Sequence, residues 1–75
     1  MSTTQQVKDQ LGHVHDMRAS VASCVRGQDK FHAEIERLRV AMQELADMTP
    51  CKSKEWEARR LARVVETHEF IVKVA

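Results

Sequence analysis

Histidine and cysteine are the residue types in this chain that are most typical of zinc and other transition-metal sites. His13 and His15 form a His-x-His pair. Residues two positions apart point to different sides of a helix, so helical backbone cannot direct this pair at one metal ion. A zinc site needs further ligands at short fixed spacings, and neither a Cys-x-x-Cys nor a His-Glu-x-x-His run occurs. The sequence therefore predicts no metal site.

The cysteines, Cys24 and Cys51, are predicted to be reduced thiols. Cys24 lies in an apolar helical stripe, where a thiol behaves as a small hydrophobic side chain. If the helices before and after Pro50 run antiparallel, the two thiols are more than about 30 Å apart, which excludes an intrachain disulfide. The sequence does not exclude an intermolecular disulfide.

Nucleophilic catalysis needs a nucleophile, a base and a scaffold that holds both together. The sequence contains no Gly-rich phosphate loop and no Ser-His-Asp grouping with such a scaffold. His68 lies among apolar residues at helical spacing, where we expect a buried and hydrogen-bonded imidazole. We predict no catalytic residue, no cofactor site and no enzymatic activity.

A basic cluster at Arg59, Arg60 and Arg63 is the one feature that suggests contact with nucleic acid. Glutamates interleave with it, and the whole chain carries a formal net charge of only +1, from 12 basic and 11 acidic residues. Nucleic-acid binders usually have a clear basic excess. We therefore interpret the cluster as a solvated, salt-bridged helix face.

Composition predicts an all-α protein. The 75 residues suffice for a single domain, 1–75, with a modest core. The chain is 43% hydrophobic and 31% charged, with 2 Gly and 1 Pro. This profile is typical of helices packed through aliphatic stripes and leaves little room for a sheet.

The expected location is the cytoplasm. No apolar run approaches the roughly 18 residues that span a bilayer. The N-terminal run Met1-Ser2-Thr3-Thr4 has neither the basic start nor the apolar stretch of a signal peptide. We expect no membrane association.

The strongest pattern is a heptad stripe, which we call the seam. It advances by alternating steps of three and four residues, and its members are Val7, Gln10, Val14, Met17, Val21, Cys24, Gln28, Phe31, Ile35, Leu38, Met42 and Leu45. Apart from the two glutamines, every member is apolar. Such a repeat of 3.5 residues predicts amphipathic helix packed against another helix.

Gly27 is where the seam could be interrupted. Gly27 could end one helix and Asp29 could begin the next, which would give three helices. The seam keeps its phase across this site, however, from Cys24 through Gln28 to Phe31. We favour one long helix over about 4–47, with the three-helix arrangement as the alternative.

Pro50 marks the clear break. Proline is tolerated only in the first turn of a helix, so a second helix is expected over about 50–74, beginning near Thr49 or a turn later at Ser53. The predicted fold is an antiparallel helical hairpin. Its expected core is Phe31, Ile35, Leu38, Met42, Leu45, Leu61, Val65, Ile71 and Val72.

The two predicted helices differ in length, at roughly 66 and 37 Å. The shorter helix cannot cover the N-terminal part of the longer one. An uncovered apolar stripe is costly, so we predict that it binds a partner or a second copy of the chain. The predicted partner-facing residues are Val7, Leu11, Val14, Met17 and Val21. On this interpretation Val14→Asp or Val21→Asp abolishes binding and leaves the chain helical.

Trp56 and Phe70 are further predicted partner-binding residues. They share a face of the second helix opposite Leu61 and Val65, and arginines flank them. Aromatic residues and arginine are enriched at protein interfaces.

The chain also resembles a known family. It begins Met-Ser-Thr-Thr, continues through Val7-Lys8-Asp9-Gln10-Leu11, breaks at Thr49-Pro50-Cys51, and returns through Trp56, Leu61-Ala62-Arg63-Val64-Val65 and Phe70-Ile71-Val72. In length, break position and apolar spacing it is similar to the small E-type co-chaperones of bacterial type III secretion systems. The resemblance implies a helical hairpin that pairs with a helical-repeat chaperone. Together the two keep the needle subunit soluble and unpolymerised in the cytoplasm.

The expected function is therefore that of a non-enzymatic co-chaperone. One alternative is a homodimeric helical hairpin that regulates nucleic acid through Arg59, Arg60 and Arg63. Another is a small inhibitor or ligand-sequestering oligomer that uses the same helical surfaces. The regular heptads also favour self-association of the isolated chain.

Overall fold

Three α-helices make up most of the chain in the computed structural model, which describes residues 1–75. They are α1 (Thr4–Ser23), α2 (Asp29–Asp47) and α3 (Lys54–Val74). The only β-type pairing is one isolated parallel bridge between Ser2 and Cys51. The predicted all-α class is confirmed.

Side-chain caps define where α1 and α3 begin. The Thr3 hydroxyl accepts from the Gln6 amide nitrogen at 3.1 Å, and the Gln6 side chain accepts from the Thr3 amide nitrogen at 2.8 Å. This reciprocal capping box satisfies two amide groups that a helix start leaves free. At α3 the Ser53 hydroxyl accepts from the Trp56 amide nitrogen at 3.4 Å. Of the two starts considered for this helix, the later one at Ser53 is therefore the one used.

The favoured long helix over 4–47 is wrong, and the three-helix alternative is confirmed. Helix α1 ends at Ser23, α2 begins at Asp29, and Gly27 between them has a φ of 87°. Glycine takes this left-handed conformation without the steric cost that a Cβ atom causes. Folding back at Gly27 lets the chain cover its own N-terminal stripe, which a single long helix would leave in water.

Contacts at the two ends of the bundle give its topology. At one end the Ser2 and Thr49 hydroxyls lie 3.0 Å apart, so the start of α1 meets the end of α2. At the other end Arg26 donates to the Val74 carbonyl at 2.9 Å, so the end of α1 meets the end of α3. Helix α2 is therefore antiparallel to α1 and α3 in an up-down-up bundle, which measures 41 × 18 × 17 Å.

The core lies along the bundle axis and includes the N-terminal seam. Val7, Val14 and Val21 are 0–1% exposed, because α2 and α3 cover them. The expectation that this stripe faces water is wrong for these residues. Leu11 and Met17 beside them are partly buried against the core. The other buried apolar residues are Phe31, Ile35, Leu38, Ala41, Leu45, Cys51 and Ile71.

Helix α3 packs with a different face from the one expected, although the predicted core residue Ile71 is buried. Leu61, Val65 and Val72 were predicted to be core residues but are 52%, 59% and 65% exposed. Arg60 and Thr67 are buried instead. The inward side also carries the two aromatic residues of the helix, both partly buried, and an aromatic side chain buries more area than a valine or leucine. The Thr67 hydroxyl has no hydrogen-bond partner, which is an unfavourable consequence of this orientation.

We predict that Val14→Asp unfolds the protein, whereas Val40→Asp does not. Val14 is fully buried and Val40, on the outer side of α2, is 54% exposed. An unpaired carboxylate in the core costs several kcal/mol, comparable with the whole stability of a chain of this size. Circular dichroism melting curves of both variants would check this. A helical, cooperatively melting Val14→Asp variant would contradict the observed core and support the exposed-seam interpretation.

Candidate interaction surfaces

Arg60 is the most connected polar side chain in the structure, and it joins α3 to the end of α2. Its Nη1 atom donates to the Leu45 carbonyl at 3.0 Å and to the Ala46 carbonyl at 3.2 Å. The last four carbonyl groups of a helix have no partner within the helix. Arg60 therefore supplies hydrogen bonds, and a positive charge, at the negative end of the α2 dipole.

Glu57 holds the other side of the Arg60 guanidinium in a bidentate pair. Arg60 Nε and Nη2 donate to the two Glu57 carboxylate oxygens at 2.8 and 2.6 Å. The Cys51 amide nitrogen donates to the same carboxylate at 3.1 Å. The hydrogen bonds from Arg60, followed by that from Cys51, lower the pKa of Glu57 to about 2. The same pair raises the pKa of Arg60.

Sequence reasoning missed this role of Arg60, which it placed on a solvated face. Arg60 is only 4% exposed, and its guanidinium makes four hydrogen bonds to acceptors within the protein. The helical spacing of the sequence could have indicated that Arg60 faces inwards, because Arg60, Val64, Thr67 and Ile71 fall on one helical stripe. An arginine in line with inward-facing residues requires a charged partner nearby, and Glu57 lies three positions before it.

Trp56 lies between two cations on the face where α3 meets α1. The Lys8 ammonium is 4.8 Å from the centre of the indole ring and the Arg59 guanidinium is 4.5 Å from it. Arg59 also pairs with Glu55 at 2.8 Å. Phe70, farther along the same face, has the Arg18 guanidinium 4.6 Å from its ring centre. Both aromatic rings thus fasten α3 to side chains of α1 or its own next turn.

A shallow groove runs beside Trp56 between α1 and α3. It encloses about 370 Å³, and Leu11, Gly12, Ala62 and Arg63 are among its lining residues. The small side chains of Gly12 and Ala62 leave room for an inserted apolar side chain. Charges of both signs line it, including Asp16 and Arg63, so it has no strong preference for an anion or a cation.

The outer face of α3 carries the most exposed row of large aliphatic side chains. Leu61, Val65 and Val72 make up this row, which we call the outer stripe. Their spacing of four and seven residues places them on one side of the helix, with the exposed His68 between them. The predicted burial of His68 is therefore wrong.

The predicted partner-binding residues divide into three groups. Val7, Val14 and Val21 are buried in the protein's own core, and this removes the reason for expecting them at an interface. Leu11 and Met17 are partly accessible at the edges of α1. Trp56 and Phe70 are partly accessible on the face between α1 and α3.

The residues first considered for chemistry lie apart from one another. His13 and His15 are both exposed on α1. Cys24 follows the last residue of α1, whereas Cys51 lies at the opposite end beside Thr4, and both thiols are free. No three His, Cys, Asp or Glu side chains come together in a metal-binding group. None of the three helices combines the length and apolar character that crossing a membrane requires.

Comparison with known proteins gives no match. This holds for protein-family models, for curated proteins and for solved structures.

We predict that Arg60→Met destabilises the fold by about 2–4 kcal/mol. The Ala46 carbonyl loses its partner, and the Leu45 carbonyl and the Glu57 carboxylate lose the hydrogen bonds from Arg60 and keep only those from the Met48 and Cys51 amides. Arg59→Met is the matched control. Arg59 is also paired with a glutamate, but the two side chains are 55% and 67% exposed, and such pairs contribute about 1 kcal/mol or less. Urea unfolding of both variants measures the difference. Equal losses would contradict a special role for Arg60.

Acid is predicted to destabilise the protein through Glu57. Its pKa is about 2 in the folded chain against an ordinary value of 4.5. Between these two pH values the unfolded chain binds the proton more readily, so the stability contributed by Glu57 is complete above the ordinary value and is lost as the pH falls towards 2. Urea titrations across this window should show a smaller loss for Glu57→Gln than for the wild-type chain. An unchanged pH slope would contradict the assignment.

Proposed function

We propose that the protein is a non-enzymatic co-chaperone that binds a helical-repeat chaperone through the outer stripe of α3. Through that chaperone it helps to keep a type III secretion needle subunit soluble in the cytoplasm. The family resemblance of the sequence supplies the class of partner. The exposure of Leu61, Val65 and Val72 is the observation that supports a docking role.

The spacing of the outer stripe fits the recognition of one helix by a groove. Leu61, Val65 and Val72 occupy positions i, i+4 and i+11 on α3, and the exposed His68 lies between the last two at i+7. Apolar anchors at this spacing are what an amphipathic helix presents to a hydrophobic groove. Helical-repeat proteins offer extended concave surfaces of this kind.

The rest of the bundle supports this role by holding α3 in a fixed orientation. Arg60 fastens the helix to the end of α2, and Trp56 and Phe70 stack against cations on its α1 side. A preorganised helix loses less conformational entropy on binding than a free segment does. Trp56 and Phe70 on the α1 side of α3, together with Leu11 of α1 beside Trp56, are proposed as secondary contacts.

The experiment is co-purification of the tagged protein from its native cells, with Val65→Asp and Val40→Asp as a matched pair. Both positions are exposed valines within helices, at 59% and 54% exposure, so both substitutions preserve the core. We expect the wild-type chain and Val40→Asp to recover a helical-repeat chaperone together with a small needle subunit. Val65→Asp should recover neither, because its carboxylate would be desolvated in the apolar groove.

Two outcomes would contradict the proposal. If no helical-repeat chaperone accompanies the wild-type chain, the assigned partner is wrong. If Val65→Asp retains the chaperone, the outer stripe is not the binding surface. Trp56→Ala then tests whether the α1 side of α3 provides the binding surface instead.

A further inference from the structure

The two junctions between the helices are secured to different degrees. At the α2–α3 junction Pro50 interrupts the helix, the Ser53 hydroxyl caps α3, and Arg60 binds the last carbonyls of α2. At the α1–α2 junction Gln28 precedes α2 without a side-chain cap, and α1 has no basic residue in its last turn. The α2–α3 junction therefore has several features that stop a helix from continuing, and the α1–α2 junction has few.

Gly27 is the main local feature that turns the chain between α1 and α2. It is the only residue with a positive φ, at 87°, and no atom lies within 4 Å of the position that a Cβ would occupy. A hydrogen bond from Arg26 to the Val74 carbonyl also holds this turn against the end of α3. Glycine also adopts helical backbone, so rotation at Gly27 is sufficient to change the direction of α2 relative to α1.

The buried positions of α1 and α2 share one heptad phase although a turn separates them. Val7, Val14 and Val21 are spaced by seven, and Ile35 lies two heptads beyond Val21. Phe31, Leu38 and Leu45, also spaced by seven, occupy the other apolar position of the same heptad repeat. A five-residue turn does not by itself require this continuity. In one uninterrupted helix all of these side chains would lie along a single stripe.

We infer that two copies of this chain form a dimer by exchanging α1. In each copy the turn at Gly27 straightens, and α1 and α2 join into one helix. Helix α1 of one copy then packs on α2 and α3 of the other copy, with the same neighbours that it has in the monomer. Such an exchange needs no new core, and only the hinge changes conformation.

Val25 is an exposed apolar side chain that the exchange brings into the joined stripe. It is 64% exposed in the monomer and lies one helical turn after Val21. In the dimer the two hinge segments cross near the two-fold axis, where each Val25 approaches the other copy. Its burial favours the exchanged form and is a contact that the monomer does not make.

Substitution at Gly27 tests the inference in the full-length chain. Gly27→Ala disfavours the positive φ and favours continued helix, so both effects promote exchange. Helix propensity alone, acting in both chains of the dimer, should lower the dimer dissociation constant by about 30-fold. Gly27→Asn is the matched control, because asparagine tolerates the left-handed conformation and is a poor helix former. Light scattering after size exclusion should find Gly27→Ala dimeric at concentrations where Gly27→Asn and the wild-type chain are monomeric.

A cross-link distinguishes exchange from association through a surface. Ser2→Cys and Thr49→Cys replace two hydroxyls that lie 3.0 Å apart, in a background with Cys24→Ala and Cys51→Ala. In the monomer, or in a dimer joined through the outer stripe, the new disulfide closes within one chain. In the exchanged dimer it joins two chains, so a denaturing gel without reductant shows a covalent dimer. We expect this band with Gly27→Ala, and with the wild-type hinge after refolding at high protein concentration.

Two results would overturn the inference. One is a Gly27→Ala chain that stays monomeric while remaining helical. The other is a dimer whose cross-link closes within single chains. If Gly27→Ala does not fold, the chain with the wild-type hinge, refolded at high protein concentration, provides the test. A disulfide between two chains then supports the exchange, and a disulfide within one chain overturns it. These outcomes are independent of the chaperone experiment, which measures binding through α3.

Discussion

The ion pair of Arg60 with Glu57, and its contact with the end of α2, is the constraint on which the rest of the architecture depends. One guanidinium binds the carboxylate of Glu57 and two carbonyls of α2. Because this group is charged, it can be buried only where all these acceptors converge. The pair thus fixes the rotation of α3 about its axis. Every residue of α3 that faces inwards or outwards follows from this rotation.

The outer stripe is a direct consequence of that rotation. Leu61, Val65 and Val72 would have formed a reasonable core face, but they point outwards once Arg60 points inwards. The inward side of α3 instead carries Arg60 with its acceptors and the two partly buried aromatic rings. The leftover apolar row is then free to serve a partner. The co-chaperone proposal and the stability of the isolated bundle therefore both depend on the rotation of α3 that buries Arg60 and exposes the outer stripe.

The turn at Gly27 is the second element that shapes the molecule. It lets Val7, Val14 and Val21 find their partners within one chain. The same residues keep the spacing of an uninterrupted helix, so the local sequence is compatible with both a turn and a continuous helix. The turn forms when α1 is covered by α2 and α3 of the same chain, and the continuous helix forms when it is covered by those of a second copy. The monomer and the exchanged dimer are two solutions of the same packing problem.

Local sequence signals were enough to predict the helical class, the break at Pro50, the start of α1 and the buried side of α2, because proline geometry, capping residues and heptad spacing act over short distances along the chain. Sequence reasoning placed the turn at Gly27 only as an alternative, since glycine fits both a helix and a turn. The tertiary structure alone decided that the N-terminal seam is covered and that α3 presents Leu61 and Val65 to solvent. The covering of the seam depends on the turn at Gly27, and the orientation of α3 depends on where the end of α2 presents its carbonyls to Arg60. Both are settled only after the helices have folded back on one another.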